Sequence, residues 1–231
     1  MQTARAGVIE SAKTFWNSEF KMGSVSHPVM ALEEKVKMAC NVSGVLGVET
    51  ISFPGISTLS IESLITSATP FDKSLLIANN SSRGNFIKRI ASINKVHYFE
   101  LFSYEKQMPD IGLLEEFLAK QYGISYMILP LISINGIERV LFDLSKLLET
   151  YGVGLIVDYY GKLDTLSIDF LEYQIQCMSI TPSDLPFKSI ASSVILAQRK
   201  FIASCKGNSK TYSLDLYNAW QKKIWNKEEM M

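Results

Sequence analysis

The chain has 231 residues, 47% of them apolar and 11% aromatic, which is enough for a buried core and argues against disorder. Lysine plus arginine and aspartate plus glutamate each number 23, so the formal net charge is zero and no basic face for a nucleic-acid partner is expected. That balance leaves little repulsion between copies, and self-association is in keeping with it.

In chain order, residues 5–17 and 28–42 read as helices. From residue 48 onward, short apolar runs alternate with helical stretches. Strands are expected at VETISF (48–53), SLLIAN (74–79), KVHYFELF (95–102), SYMILPLI (125–132) and VGLIVD (153–158). Helices are expected between them, at 58–68, 83–93, 110–123 and 137–152. The last two carry the clearest stripes, Leu113, Leu114, Phe117 and Leu118 in one, Val140, Leu141, Leu144, Leu147 and Leu148 in the other. Gly123 and Gly152 follow where helix C-caps usually stand. Two more apolar runs, YQIQCMSI and ASSVILA, precede a last helix over about 212–226. Strand–helix alternation with short connections implies βαβ crossovers. The expected fold is α/β, a three-layer sandwich whose mostly parallel sheet has helices on both faces. No repeat or linker divides it, so residues 1–231 are read as one domain.

The first residues, MQTARAGVIESAKTFW, lack the apolar run of a signal peptide. No stretch reaches the roughly 18 consecutive apolar residues of a membrane span, so no membrane partner is expected. Cys40, Cys177 and Cys205 are odd in number, far apart and without CxxC spacing. A disulfide framework or zinc site is therefore not expected, and a cytoplasmic setting fits.

In parallel sheets ligands bind beyond the carboxyl ends of the strands. The polar residues there are Pro54–Thr58, Asn79–Arg83, Ser133–Gly136 and Asp158–Asp164. Asp158 ends the apolar run GVGLIV, where an aspartate either caps a turn or helix or anchors a ligand. In SFPGIST (52–58), Ser57 and Thr58 stand at a helix start, where backbone N–H groups hold a phosphate or a hydroxyl serves as an N-cap. The dinucleotide pattern GxGxxG and the P-loop GxxxxGK[ST] are absent. His27 and His97 read as surface or packing residues, Tyr159 and Tyr160 as strand-end packing, and KKIWNKEE and LEEKVK as solvated helix faces.

The segment ASCKGNSKTYSLDLYNAW (203–220) resembles the 2-aminoethylphosphonate–pyruvate aminotransferases, class V aminotransferases of the pyridoxal-phosphate fold type I. VD at 157–158, LSID at 166–169, TARAGVIESA, PGIST and KSLLIAN fall in register with that family. The resemblance implies that Asp158 pairs with the pyridinium nitrogen of the cofactor and keeps it protonated, so that the ring acts as an electron sink. Gly55, Ser57 and Thr58 would hold its phosphate. It also implies a lysine that forms the Schiff base and shuttles a proton. Aligned without gaps, that lysine's position falls on Asp184 in MSITPSDLPFKSI, and a carboxylate forms no imine.

Other departures agree. Ile56 intrudes into the glycine-rich phosphate turn, the family's Glu-Thr-Thr-Thr-Gly reads Ile132-Ser133-Ile134-Asn135-Gly136, and its Ser-Ser-Phe-Gly reads Gly161-Lys162-Leu163-Asp164. The chain starts just after the family's Thr-Pro-Gly-Pro segment and stops where its small C-terminal domain, with a substrate-binding arginine, is expected to begin. Lys188, four residues after Asp184, is a candidate to replace the missing lysine, and prolines at 182 and 186 argue against a regular helix there.

Two functions compete. In the first, the chain is a non-catalytic relative that binds pyridoxal phosphate non-covalently or not at all. It then serves as a binding partner, in a homodimer or in a heterodimer with a complete paralogue, since family members are dimers with sites at the interface. In the second, it is a pyridoxal-phosphate aminotransferase acting on an amino-phosphonate or small amino acid, with Lys188 as the reacting amine. Binding of a phosphorylated or phosphonate ligand at 55–58 without turnover lies between them.

Overall fold

The computed structural model describes residues 27–53, 58–79, 81–102, 108–131, 138–183 and 193–228. In chain order the elements are α1 (His27–Ala39), β1 (Val48–Phe53), α2 (Thr58–Ala68), β2 (Ser74–Asn79), α3 (Ser82–Ile93), β3 (Tyr98–Phe102), α4 (Ile111–Lys120) and β4 (Ile124–Leu131). They continue with α5 (Glu138–Thr150), β5 (Gly154–Gly161), a 3-10 turn (Leu163–Thr165), β6 (Ile175–Pro182), β7 (Ser193–Gln198), α6 (Arg199–Ser204) and α7 (Leu216–Glu228).

The strands form one sheet in the order β1-β7-β6-β5-β4-β2-β3. Strands β3, β2, β4, β5 and β6 run parallel, whereas β7 is antiparallel to both β6 and β1. Parallel strands are covered on both faces, which is why the centre of β5 is an unbroken apolar run rather than an alternation. One face packs Leu32 and Val36 of α1, Leu114 and Leu118 of α4, and Leu141, Leu144 and Leu148 of α5. The other packs Ile61 and Leu64 of α2, Ile87 of α3, Phe201 of α6 and Trp220 of α7. The α/β three-layer expectation is met.

Helix ends explain most boundary differences. Gly152, at φ +66°, closes α5: its N–H donates to the Glu149 carbonyl at 3.0 Å, and that of Val153 donates to Leu148 at 2.9 Å. Lys95, at φ +53°, ends α3 in the same way, with Val96 N–H donating to the Ala91 carbonyl. Residues 95–97 therefore belong to a turn, and β3 starts at Tyr98 rather than at 95. Asn41, at φ +53°, likewise follows α1, which ends at Ala39 instead of 42. Asp215 accepts from the Asn218 N–H at 3.0 Å, so α7 begins at 216 instead of 212. Leu113 departs from the expected stripe: it is 61% exposed, whereas Phe117 packs edge-to-face on Phe99 at 5.7 Å between centroids. The helix expected at 5–17 lies outside the described residues.

A buried polar clamp holds the β1 edge. Glu33 of α1 accepts from Lys223 of α7 at 2.6 Å, from Thr50 at 2.9 Å and from Ser52 at 2.8 Å. Lys223 also donates to the Thr50 carbonyl at 2.7 Å. Two helices separated by 190 residues are thereby tied to one edge strand.

Candidate functional site

The crossover from β2 leads through α3 outward to β3, while that from β4 leads through α5 the other way to β5. The crevice at this divergence, beyond the carboxyl ends of the strands, is where such sheets bind ligands. Around it stand Asn79 on β2, Asp158 on β5, Ser179 and Thr181 on β6, and the first turns of α2 and α3.

Asp158 is fully buried and lies in register with Pro130 of β4 and Ser179 of β6. β5 runs three residues past it, to Gly161, so the carboxylate stands within the strand and not at its end. Nor is it a cap. Its Oδ2 accepts from Arg83 Nε at 2.5 Å and its Oδ1 from Arg83 Nη2 at 3.1 Å. Two parallel charge-assisted bonds of this kind are the strongest arrangement available to a guanidinium and a carboxylate. Without such a partner, a carboxylate this deep would be strongly disfavoured.

Local sequence explains how Arg83 arrives there. Ser81 caps α3, its hydroxyl accepting from Gly84 N–H at 3.4 Å. A Cβ added at Gly84 would lie 2.7 Å from Asn79 Oδ1 and 2.9 Å from its Cα. Only glycine allows the helix to start in contact with the end of β2, and that contact sets Arg83 above the sheet. A cation in the first helical turn opposes the helix dipole, so Arg83 is held there by Asp158 and not by local preference. Its guanidinium carbon lies 5.0 Å from the Phe86 ring centroid and 6.0 Å from that of Tyr160, within cation–π range.

The rest of the crevice is lined with hydroxyls and amides. Ser60 of α2 and Ser179 of β6, both fully buried, are 3.4 Å apart, oxygen to oxygen. Thr181 and Ser193 carry buried hydroxyls without a hydrogen-bond partner. Asn79 donates to Asn85 at 3.1 Å and to Glu100, which also receives Lys88 at 3.0 Å. Thr58 opens α2 and is half-buried. Gly55, Ser57, Asp184 and Lys188 lie outside the described residues, as do 132–136. Of the expected site residues, the described structure therefore places Asp158 and Thr58 on the same side of the sheet.

Tyr159 is buried on the opposite face and donates to the Lys162 carbonyl at 2.9 Å, which is the packing role expected of it. Tyr160 is 45% exposed and faces Arg83, so it does more than pack. Arg83 stood within the strand-end set, yet nothing in its spacing linked it to a carboxylate 75 residues away. The signal was an arginine in a serine-capped first turn, against the dipole.

The three thiols are free and buried. Burial pushes those of Cys40 and Cys205 up to about 12 and that of Cys177 well above its ordinary value, so none supplies a thiolate near neutral pH. Among the described residues no group of three His, Cys, Asp or Glu side chains is placed to hold a metal. No helix among them is long and apolar enough to cross a membrane.

The mostly parallel seven-stranded sheet with its helices is an α/β fold shared with solved aminotransferases. Alanine–glyoxylate aminotransferase from Nostoc sp. superposes with a TM-score of 0.68 at 16% identity, over 90% of this chain and 55% of that one. In sequence, the chain is similar to 2-aminoethylphosphonate–pyruvate transaminases. That of Bacillus cytotoxicus is 28% identical over 174 residues, 74% of this chain and 47% of the relative. That of Aeromonas hydrophila is 24% identical over 221 residues, 95% of this chain and 57% of the relative. The chain thus spans about half the length of the curated relatives it matches. No family model matches it.

The expectation drawn from the sequence would set Asp158 against a protonated ring nitrogen. The described residues do not fit that role, because each carboxylate oxygen already accepts from the Arg83 fork and the side chain is closed to solvent.

Proposed function

We propose that the chain is a non-catalytic relative of the 2-aminoethylphosphonate–pyruvate transaminases that works by binding, paired with a second copy or with a complete paralogue. The observation that carries this reading is the commitment of Asp158 to Arg83 at 2.5 and 3.1 Å. A ring-anchoring carboxylate presents its oxygens to the cofactor; this one presents them to its own chain. Asp184 at the expected lysine position supports the same reading from sequence, since a carboxylate cannot form the imine on which transamination depends. A cytoplasmic setting suits three unpaired thiols.

The test is borohydride trapping after incubation with pyridoxal phosphate, followed by mass-spectrometric mapping. The expected result is no labelling, or scattered labelling of exposed lysines. Stoichiometric labelling of Lys188, abolished by Lys188→Ala, would overturn the reading in favour of an active aminotransferase. Light scattering of the purified chain, alone and mixed with a full-length relative, reports the pairing.

A further inference from the structure

A pyridinium nitrogen and a guanidinium are both planar cationic N–H donors, and a buried carboxylate whose single charge is neutralised by one, with both oxygens engaged by its fork, offers no unpaired charge to the other. We propose that Arg83 is a built-in occupant of the ring-anchoring position: its guanidinium stands in for the cofactor's cation on Asp158 and keeps the crevice closed to any cationic aromatic ring. The inference rests on the assignment of Asp158 as the ancestral anchor, and it makes Arg83 the residue that decides what enters.

Three features make the occupant a fitted one. The fork engages both carboxylate oxygens, which fixes the guanidinium plane. Phe86 and Tyr160 flank it at 5.0 and 6.0 Å, so the cation has aromatic neighbours as well as a carboxylate. Gly84 brings the first turn of α3 against Asn79, which delivers the arginine to the mouth of the crevice instead of to solvent. The arginine side chain is 14% exposed and the aspartate wholly buried, so the pair lies where an incoming ring would have to displace it. Removing the guanidinium leaves Asp158 buried and unpaired beside hydroxyl-bearing Ser60, Ser179, Thr181 and Ser193, a setting that selects a cation.

The experiment is calorimetric titration with pyridoxamine phosphate, which carries the ring and the phosphate but no aldehyde and so reports binding apart from imine formation. Inorganic phosphate is titrated alongside. The expected result is no saturable binding by the unaltered chain and binding at least about tenfold tighter by Arg83→Ala, lost again in Arg83→Ala/Asp158→Asn. Arg83→Lys, which keeps the cation, should stay closed. Arg83→Gln, which keeps one N–H donor for Asp158, is measured in parallel in case the alanine variant does not fold. Saturable binding of pyridoxamine phosphate by the unaltered chain would overturn the proposal, even with no lysine trapped by borohydride, which would leave the non-catalytic reading standing. Binding by the variants no tighter than by the parent would also overturn it. So would the failure of both variants to fold, since that makes Arg83 a structural residue and not an occupant.

Discussion

Among the described residues two ion pairs are largely buried, and they sit at opposite kinds of place. Glu33–Lys223 lies against the edge strand β1, and its carboxylate is shared with Thr50 and Ser52. It ties the first and last described helices to the sheet, and every partner named belongs to the scaffold. Arg83–Asp158 lies at the crevice itself, where related folds receive a ligand. The same chemistry that clasps a scaffold in one place fills a binding position in the other. Burial alone does not distinguish the two; position relative to the carboxyl ends of the parallel strands does.

Four expected outcomes sharpen or break that contrast, from the largest effect down. Asp158→Ala takes the buried carboxylate away from the largely buried Arg83 guanidinium and should destabilise the chain by about 3–5 kcal/mol in urea denaturation, whereas Arg83→Leu/Asp158→Leu should cost far less. A small loss for Asp158→Ala would mean that the pair is not closed to water. Lys223→Met should cost about 2–3 kcal/mol, less than the full removal of a buried partner, because Thr50 and Ser52 still donate to Glu33. Gly84→Ala should cost about 1–3 kcal/mol by forcing α3 off Asn79, and should loosen Arg83, detected as faster exchange of its Nε proton by NMR.

The fourth outcome concerns buried groups with no ion pair. The thiols of Cys40 and Cys205 rise from 9.0 to about 12 in the folded chain because burial disfavours the thiolate. The unfolded chain ionises first, so this stabilisation is complete below pH 9 and is lost as the pH climbs from there toward 12. A thermal melt series above pH 9 should therefore show a decline that is reduced in Cys205→Ala. At neutral pH the thiols should stay unreactive to a disulfide reagent until the chain unfolds.

Much of the fold was legible because it is written locally. Strand runs such as SLLIAN, the leucine stripe of α5 and the glycine after it each satisfy a short-range rule, and all three fell into place. Boundaries slipped where a residue other than glycine took the left-handed turn, as Lys95 and Asn41 do: lysine gives no sign of it, and asparagine, though enriched in that region, is not confined to it. The site was half legible. Asp158 stood out as a carboxylate in an apolar strand, and resemblance gave it a meaning. Its partner did not stand out, because the pair is made across 75 residues by the sheet's crossover order, which sequence spacing does not encode. Tyr160 and the hydroxyls of Ser179, Thr181 and Ser193 join the site for the same reason: strand alternation and register bring them to one face, helix α2 lays Ser60 against Ser179, and single residues carry no mark of it.

The central claim is that Asp158 is spent on Arg83. The most direct measurement is a double-mutant cycle on that pair, with Arg83→Ala, Asp158→Ala and the double variant compared by urea denaturation. The account predicts a coupling of about 2 kcal/mol or more, with the double variant far more stable than the two single losses would sum to. Losses that add to within about 0.5 kcal/mol would contradict it, and would return Asp158 to the role of a free anchor.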